Sequence, residues 1–336
     1  MPVNAERAEA ELNALASLAT PMAVRVAATL RLADRLGGGA LTAAEAARAA
    51  GADTGTLDRL LRHLCTAGVL HRDGEGRYSL TPVGEVLRAD HPSGARARLD
   101  LEGAEGSADL SLTELLHAVR TGGPAFDRYH GRPFWRHLDA DPALAASFHH
   151  RMGTAVGQDA PAIVSAYDWG SLGRVVDVGG GNATLLIALL RAYPGLRGAV
   201  VDLPGGVEEA RRGLAAAGLR DRGEAVAGSF FEPLPAGAGG YLLSAVLHNW
   251  GDGDARAILR RCAEAAGSRG RVFVIEKLGP DGRAPSTEAD LRMAAYFGGR
   301  ERDRDEIGEL AASAGLAAVA VHAAGANAVV ECAARR

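Results

Sequence analysis

The sequence predicts an α/β protein in which an α-rich N-terminal domain precedes a doubly wound, mostly parallel sheet. Three observations support this prediction. From Arg174 onward, short β-branched segments alternate with helix-forming segments, as a doubly wound sheet requires. A glycine-rich turn at 179–181 joins the first of these strands to a helix. Residues 1–100, in contrast, have helical periodicity that ends in a small hairpin.

The N-terminal domain has the element order of a winged helix. Apolar-rich segments at about 8–18 and 22–36 predict its first helices. Thr42 and Glu45 have the spacing of a capping box, which predicts that another helix begins there. The last helix is predicted by four leucines that share one helical face: Leu57, Leu60, Leu61 and Leu64. The two hairpin strands are predicted at 69–72 and 77–80, on either side of a glycine turn.

Charge indicates what this winged helix does. A DNA-binding winged helix needs a basic recognition helix that meets phosphates. Here Arg59, Arg62 and His63 are offset by Asp53 and Asp58, and the whole chain carries a formal net charge of −4. We therefore expect no nucleic-acid partner. The apolar-rich helices at about 8–18 and 22–36 suggest a protein interface instead, so we predict that the N-terminal domain forms a homodimer.

A helical connector is expected at 101–165, between the winged-helix domain at 1–100 and a catalytic domain at 166–336. Aromatic residues make up only 5% of the chain, yet five of them lie in the connector. They either line an apolar substrate pocket or pack as a connector between domains: Phe126, Tyr129, Phe134, Trp135 and Phe148.

The catalytic domain is predicted to hold five parallel strands and a final hairpin. The last two strands, 317–322 and 327–332, are joined by four residues, which is too short for a parallel crossover. They must therefore pair antiparallel, an arrangement typical of the methyltransferase version of the Rossmann fold. The other predicted strands are 174–178, 198–202, 224–227, 241–247 and 271–276.

The glycine turn favours a methyl donor over a dinucleotide. A dinucleotide fingerprint starting at Gly179 and Gly181 needs a third glycine where Thr184 stands. Asp177 also lies where a pyrophosphate would pass. S-adenosylmethionine has no phosphate, and its amino group and sulfonium are cations that a carboxylate attracts. Glycines also occur in ordinary turns, so the remaining strand ends are needed to complete the prediction.

Two further strand ends fit the same ligand. Asp202 ends the second strand, where an acid hydrogen-bonds ribose hydroxyls, although a turn aspartate can also cap the next segment. Gly228, Ser229 and Phe230 follow the third strand. We expect Phe230 to pack on the adenine and Ser229 to bond its edge.

His248 and Glu276 are the candidate catalytic groups. Each is predicted at the end of a central strand, at the same edge of the sheet. An imidazole titrates near pH 6.5, so it accepts a proton from a hydroxyl near neutral pH. A carboxylate on the second ring nitrogen stabilises the imidazolium. A single strand-end histidine is more often structural, but the pair over one crevice favours catalysis.

No metal site is expected. Asp252 and Asp254 precede a helix, where capping explains them. The adjacent His149 and His150 have a poor spacing for joint ligation.

The cysteines and the interruptions in one uncharged segment favour a cytoplasmic protein without a membrane span. Cys65, Cys262 and Cys332 lie far apart and lack metal-ligand spacing, which is typical of a reducing compartment. The segment 311–330 contains no charged residue. It is interrupted by glycines and a histidine, so two buried strands explain it better than a membrane helix.

The chain resembles the dimeric, winged-helix class of S-adenosylmethionine-dependent small-molecule O-methyltransferases. These enzymes act on plant phenylpropanoids and on bacterial aromatic natural products. The resemblance covers nearly the whole chain and rests on these segments in this order: 57–68, 78–82, 131–135, 175–181, 202–204, 248–250, 290–293 and 298–302.

The resemblance implies a role for each matching residue. His248 matches the catalytic base, and Glu276 and Glu301 match the two acids that frame it. Ser244 and Met152 match donor contacts. The acceptor, an aromatic small molecule, is expected to meet Met293, Phe297, Asn249 and Trp250.

Two residues depart from the family pattern. Asn249 replaces an aspartate, which alters the support of His248 or of the substrate. Ser229 stands where the family commonly has an aspartate that binds the adenine amino group, so a charge-assisted bond is lost.

Three other functions compete with O-methylation. Some bacterial relatives hydroxylate or decarboxylate polyketides with the same donor site, but they carry an apolar residue where His248 stands. An N-methyltransferase has the same cofactor site. A regulator that senses S-adenosylmethionine through its winged helix would need the basic helix that this chain lacks.

Overall fold

The protein forms two compact units, of which the first ends at Leu110 and the second begins at Ser111. The structure is a computed structural model that describes residues 5–335. The three-part division of the chain at residues 100 and 165 stays a prediction.

The first unit has the predicted order of helices followed by a hairpin. Thr42 caps its helix through the Glu45 amide, and the Glu45 side chain bonds back to Thr42, which confirms the capping box. The predicted helix over 22–36 is wrong as a single element, because Arg31 has a φ of 52° and interrupts it. The elements are α1 Ala5–Ala16, α2 Ala19–Thr29, α3 Leu32–Leu36, α4 Ala43–Ala50, α5 Thr54–Thr66, β1 Leu70–Arg72, β2 Tyr78–Leu80, α6 Pro82–Glu85, α7 Ala95–Leu99 and α8 Ala104–Leu110.

The core of the first unit lies between α2, α5 and the hairpin. Leu61, Leu64 and Tyr78 are fully buried there. The Tyr78 hydroxyl donates a 2.7 Å hydrogen bond to Asp58 on α5. Burial and the Asp58 carboxylate together raise the pKa of Tyr78 to about 12. Tyr78 therefore joins the hairpin to α5 as a neutral hydrogen-bond donor.

The second unit begins with helices and continues as a seven-stranded sheet. Its helical part contains a 3-10 turn Ser111–Glu114, α9 Leu115–Thr121, α10 Ala125–His130, α11 Phe134–Asp139, α12 Pro142–Ala166 and a 3-10 turn Trp169–Leu172. The sheet part contains β3 Arg174–Val178, α13 Thr184–Ala192, β4 Arg197–Asp202, α14 Pro204–Ala216, β5 Gly223–Ala227, β6 Gly240–Ser244, a 3-10 turn Leu247–Asn249, α15 Asp252–Ala266, β7 Arg271–Lys277, α16 Thr287–Phe297, α17 Arg304–Ser313, β8 Leu316–Ala324 and β9 Asn327–Ala334.

The sheet has the order β5-β4-β3-β6-β7-β9-β8. The first five strands are parallel, whereas β9 runs antiparallel to both β7 and β8. This confirms the predicted doubly wound sheet with a C-terminal antiparallel hairpin. Because β3, β4, β6 and β7 are parallel neighbours, the residues that follow them meet at one edge of the sheet.

One predicted strand is too long. The apolar run at 241–247 predicts a strand up to Leu247, but β6 ends at Ser244. Ala245 has a φ of 55°, a left-handed conformation that an extended strand cannot continue through. His248 therefore lies in the short 3-10 turn after the strand and does not end the strand itself.

The uncharged segment 311–330 lies in the end of α17, in β8 and in the start of β9. The prediction of two buried strands is wrong for β8, of which only the two end residues are buried, whereas most of β9 is buried. Within residues 5–335, no helix combines the length and the apolar character needed to cross a membrane.

The junction between α12 and the sheet yields a stability prediction. Trp169 is fully buried, and its indole N–H donates a 3.0 Å hydrogen bond to the Ile163 carbonyl. Trp169→Phe leaves that buried carbonyl without its donor, at a cost of about 1–3 kcal/mol. We expect a lower melting temperature by calorimetry, whereas Tyr129→Phe, at an exposed position, serves as the control. A melting temperature equal to that of the control would contradict this account.

Candidate active site

A tight glycine turn follows β3. Gly179 has a φ of 73°, which favours glycine, and its amide donates a 2.8 Å hydrogen bond to the Val201 carbonyl. A side chain at Gly180 would begin 2.5 Å from the Asp177 carboxyl group. The turn therefore needs glycine at both positions.

Asp177 lies under this turn with an unpartnered oxygen. The residue is 1% exposed, and its Oδ2 atom has no hydrogen-bond partner. Burial raises the pKa of Asp177 to about 7, and the nearby charge of Asp202 adds to this effect. A buried carboxylate of this kind is stabilised by a cation placed beside it.

Asp202 ends β4 and braces the turn. Its Oδ2 atom accepts a 2.8 Å hydrogen bond from the Gly181 amide, and its Oδ1 atom accepts a 2.7 Å bond from the Leu203 amide. Burial raises the pKa of Asp202, while these two amides and the charge of His149 oppose the shift. His149 lies on α12, far from Asp202 in the sequence. Its spacing to His150 therefore gave no sign that it is a neighbour of Asp202.

Aromatic side chains form the next wall of the crevice. The Phe230 ring lies against Gly179, since a Cβ atom added at Gly179 would lie 3.4 Å from the ring. Phe230 also contacts Trp250, with ring centroids 5.6 Å apart. Ser229, which follows Gly228, accepts a 3.2 Å hydrogen bond from the Phe231 amide and is held in the same loop.

Helix α12 covers the glycine turn from the other side. Gly153 lies so close to Asn182 that a side chain at Gly153 would begin 2.2 Å from the Asn182 amide nitrogen. Met152 precedes Gly153 on the same helix. Ser244 ends β6 at the same edge of the sheet.

His248 is held by Glu276. The His248 Nδ1 atom lies 2.7 Å from the Glu276 Oε2 atom, and the Leu247 amide donates a 3.1 Å hydrogen bond to Oε1. The side chain of Glu276 is 8% exposed, compared with 20% for His248. One buried carboxylate on β7 thus fixes both the ring and the backbone of the turn.

Charge determines the titration of His248. Burial opposes the charged imidazolium, but the carboxylates of Glu276 and Glu301 outweigh it and raise the pKa of His248. The Glu301 amide donates a 2.8 Å hydrogen bond to Asp290 on α16, which positions the residue. Burial raises the pKa of Glu301 in turn.

Arg302 is a site residue that the sequence reasoning missed. It is 5% exposed and donates hydrogen bonds to the carbonyls of Leu247 and Trp250, on either side of His248. It also bonds Asp252, so the interpretation of Asp252 as a helix cap is wrong: Gly251 is the N-cap of α15 and Asp252 is the partner of Arg302. The sequence marks 298–302 as a motif but contains no sign that its last arginine is buried.

An aromatic cluster lies on α11, α12 and the end of α16. Trp135 and Phe297 are stacked with centroids 5.5 Å apart, and Phe134 contacts Phe297 edge-on at 4.9 Å. Phe148 on α12 contacts both Phe134 and Trp135. Met293 lies one helical turn before Phe297 on α16.

Metal binding has no support in the described part of the chain. Among residues 5–335, no three His, Cys, Asp or Glu side chains are grouped so that they could hold an ion.

Comparison with known proteins identifies the family. The sequence model of the O-methyltransferase domain matches residues 112–317, and that of the O-methyltransferase dimerisation domain matches residues 12–90. The chain belongs to the O-methyltransferase family. It is therefore an S-adenosylmethionine-dependent O-methyltransferase with a dimerisation domain, as the motifs predict.

Two relatives from Streptomyces are similar to this O-methyltransferase over most of its length. The 2,7-dihydroxy-5-methyl-1-naphthoate 7-O-methyltransferase of Streptomyces carzinostaticus is 56% identical over 93% of this chain and 93% of its own length. The aclacinomycin 10-hydroxylase RdmB of Streptomyces purpurascens is 48% identical over 91% of this chain and 83% of its own.

A solved structure also matches this O-methyltransferase. The crystal structure of NcsB1, an O-methyltransferase from neocarzinostatin biosynthesis in complex with S-adenosylmethionine and 2-hydroxy-5-methyl naphthoic acid, has a TM-score of 0.93. It is 54% identical, and the match covers 96% of this chain and 98% of that one.

The residues at the sheet edge fit S-adenosylmethionine. The unpartnered, buried oxygen of Asp177 suits a cation. The glycine turn packs its main chain directly on Asp177, since a side chain at Gly180 would collide with the carboxyl group.

The titration of His248 tests this account of the site's electrostatics. We expect the wild-type pKa of His248 to lie above the ordinary 6.5 and to fall in Glu276→Gln, because that change removes the adjacent negative charge. Histidine ring signals followed by NMR against pH measure this, with the His248→Ala spectrum providing the assignment. An unchanged pKa in Glu276→Gln would contradict the proposed cause.

Proposed function

We propose that this O-methyltransferase methylates a phenolic hydroxyl of a fused-ring aromatic acceptor of the hydroxynaphthoate type, with His248 as general base. The observation that carries the proposal is the 2.7 Å contact between His248 and the buried Glu276, at the sheet edge that bears the glycine turn. The acceptor class is supported by the 56% identical relative, which is a dihydroxynaphthoate O-methyltransferase.

The proposed proton transfer follows from the hydrogen bond of His248. Because Nδ1 faces the Glu276 carboxylate, the neutral ring carries its proton at Nδ1 and leaves the Nε2 lone pair available. Nε2 then accepts the proton of the acceptor hydroxyl, which makes the oxygen a stronger nucleophile. Glu276 and Glu301 balance the charge that develops on the ring. Bound S-adenosylmethionine supplies an electrophilic methyl group on its sulfonium.

The donor half of the site is assigned by position. Asp177 attracts the cationic part of the donor, and Gly179 and Gly181 allow its close approach. We assign Asp202 to the ribose hydroxyls, as its place at the end of β4 suggests. Further donor contacts are assigned to Gly228, Ser229, Phe230, Ser244 and Met152.

The acceptor half of the site is assigned to residues on α16 and around His248. Phe297 stacks with Trp135, which gives a flat aromatic wall suited to a fused-ring acceptor. Met293, Asn249 and Trp250 complete our assignment of this pocket. A general base accelerates the reaction of a phenol only modestly. Correct positioning of the acceptor oxygen against the methyl group therefore contributes to the rate in addition to the base.

Hydroxylation is the competing activity within this fold. The aclacinomycin 10-hydroxylase RdmB is 48% identical to the chain, so overall similarity alone leaves hydroxylation open. The His248–Glu276 pair favours methyl transfer, since it supplies the base that a hydroxyl acceptor uses. The product mass separates the two reactions, because methylation adds one methyl group and hydroxylation adds one oxygen. N-methylation would instead attach the methyl group to nitrogen.

The N-terminal unit is proposed to hold two copies together in a cytoplasmic homodimer. The dimerisation-domain match at 12–90 supports this role. Helix α5 carries Arg59 and Arg62 together with Asp58, which forms a salt bridge with Arg62. This near balance of charge favours protein contacts over nucleic acid.

Loss of the base provides the direct test. With 2,7-dihydroxy-5-methyl-1-naphthoate as probe acceptor, we expect His248→Ala to lower kcat roughly 10²–10⁴-fold, since no group then accepts the proton. Donor affinity, measured by calorimetry, should remain close to wild type, because His248 serves the acceptor.

A matched control is available for this variant. His322 forms a comparable pair with Glu331, at 3.2 Å, on the β8–β9 hairpin. His322→Ala should leave kcat unchanged. Equal turnover in His248→Ala and His322→Ala would remove His248 from the mechanism, and a product heavier by one oxygen would favour hydroxylation.

Donor binding should depend on the ionisation of Asp177. The raised pKa of about 7 leaves much of Asp177 protonated below that pH in the free enzyme. We expect donor affinity to rise as the pH increases through about 7 and then to level off, with proton release below that pH. Asp177→Asn should weaken binding roughly 10–100-fold and abolish this pH dependence. Titration calorimetry in buffers of different ionisation enthalpy measures the donor affinity and the proton release. A donor affinity in Asp177→Asn equal to that of the wild type would refute the role of Asp177 in donor binding.

A further inference from the structure

The 3-10 turn that carries His248 is held from two directions. Glu276, on β7, binds the Leu247 amide and the His248 ring. The segment that follows α16 approaches the turn with two residues, Gly299 and Arg302. The contact with Glu276 supports the proposed base, whereas the contact with the 299–302 segment has no role in proton transfer.

Arg302 bridges the two ends of the turn. Its Nη1 atom donates a 2.9 Å hydrogen bond to the Leu247 carbonyl, and its Nη2 atom donates a 2.7 Å bond to the Trp250 carbonyl. The guanidinium is planar and rigid, so two bonds from one fork fix the separation of the two carbonyls. His248 lies between them in the sequence.

Gly299 brings the same segment into direct contact with the turn. A side chain at Gly299 would begin 2.2 Å from the His248 carbonyl oxygen and 2.5 Å from the Asn249 carbonyl carbon. Only glycine permits this approach, because both neighbours are backbone atoms. The main chain of the segment therefore packs against the main chain of the turn while Arg302 reaches across it.

Stability alone does not account for the burial of Arg302. Its side chain is 4% exposed, but its acidic partner Asp252 is 52% exposed. Burying a charge against a half-exposed partner contributes little net stability. Its carbonyl bonds are directed at the two ends of the His248 turn, which suggests that the arginine is retained for geometry.

We propose that Arg302 is a positioning residue for methyl transfer, which holds the main chain of the 247–250 turn so that the His248 ring faces the acceptor. This inference rests on the proposed role of His248 as the base. Arg302 itself touches neither donor nor acceptor in this proposal.

The charge of Arg302 gives the proposal a second readout. The groups that act on His248 are Glu276 on β7 and Glu301 and Arg302 after α16. The two carboxylates favour the imidazolium, whereas the guanidinium disfavours it. Removal of the charge therefore raises the pKa of His248, and less of the base is neutral near pH 7.

Two substitutions separate geometry from charge. Arg302→Lys keeps the positive charge but cannot bridge both carbonyls, so we expect kcat to fall roughly 10–100-fold. The acid limb of its kcat/KM profile should stay at the wild-type pH. Arg302→Gln removes both, so kcat should fall at least as far and the acid limb of kcat/KM should move to higher pH. Donor affinity and acceptor KM should change little in either variant.

Arg222 offers a matched structural control. Its Nη1 atom donates to the carbonyls of Leu190 and Pro194, at 2.8 and 3.1 Å, where α13 ends. Arg222→Gln removes a carbonyl-binding arginine without touching the His248 turn. We expect it to lower the melting temperature while kcat per folded enzyme and the acid limb stay at wild-type values.

The outcomes separate this inference from the proposed function. Wild-type kcat and an unmoved acid limb in Arg302→Gln, with His248→Ala inactive, overturn the positioning role alone. Losses in Arg302→Gln that match the loss of folded protein, as for Arg222→Gln, also overturn it. Full turnover in His248→Ala overturns both proposals. Titration of the His248 ring by NMR in Arg302→Gln checks the charge effect independently of turnover.

Discussion

The active site depends on one buried carboxylate. Glu276 accepts hydrogen bonds from a ring nitrogen of His248 and from the backbone of the preceding residue, so a single group on β7 sets both the orientation of the base and the position of its turn. The carboxylate is itself fixed because β7 is paired on both sides, with β6 and β9. The turn that carries His248 is thereby tied to a strand that is hydrogen-bonded along both of its edges.

The donor half of the site is built on a different constraint, the close approach of backbone to carboxylate. Asp177 and Asp202 support the turn after β3 from below, and glycines stand wherever a side chain would strike them, as at Gly180 and Gly206. This packing leaves one oxygen of Asp177 buried without a partner. Burial disfavours the charged carboxylate, which is why the pKa of Asp177 is raised, and a cation beside it would stabilise the ionised form.

The sequence predicted the elements more readily than the contacts made after they end. Alternation of β-branched and helical segments placed the strands to within a few residues, because a buried strand must be apolar along its length. The left-handed conformation of Ala245, which ends β6 early, has no sequence signature, since alanine seldom adopts it. The burial of Arg302 was equally invisible, because its partners are backbone carbonyls that any residue at Leu247 and Trp250 would supply.

The aromatic wall has a consequence for how this enzyme can change over evolutionary time. Trp135 and Phe297 belong to helices α11 and α16, whereas most of the proposed donor contacts and His248 lie at strand ends or in the loops that follow them. Substitution of a wall residue reshapes the cavity by packing alone and leaves the reaction machinery intact. Single substitutions in α11 and α16 are therefore expected to change which acceptor the proposed wall admits, while the residues proposed for methyl transfer stay in place.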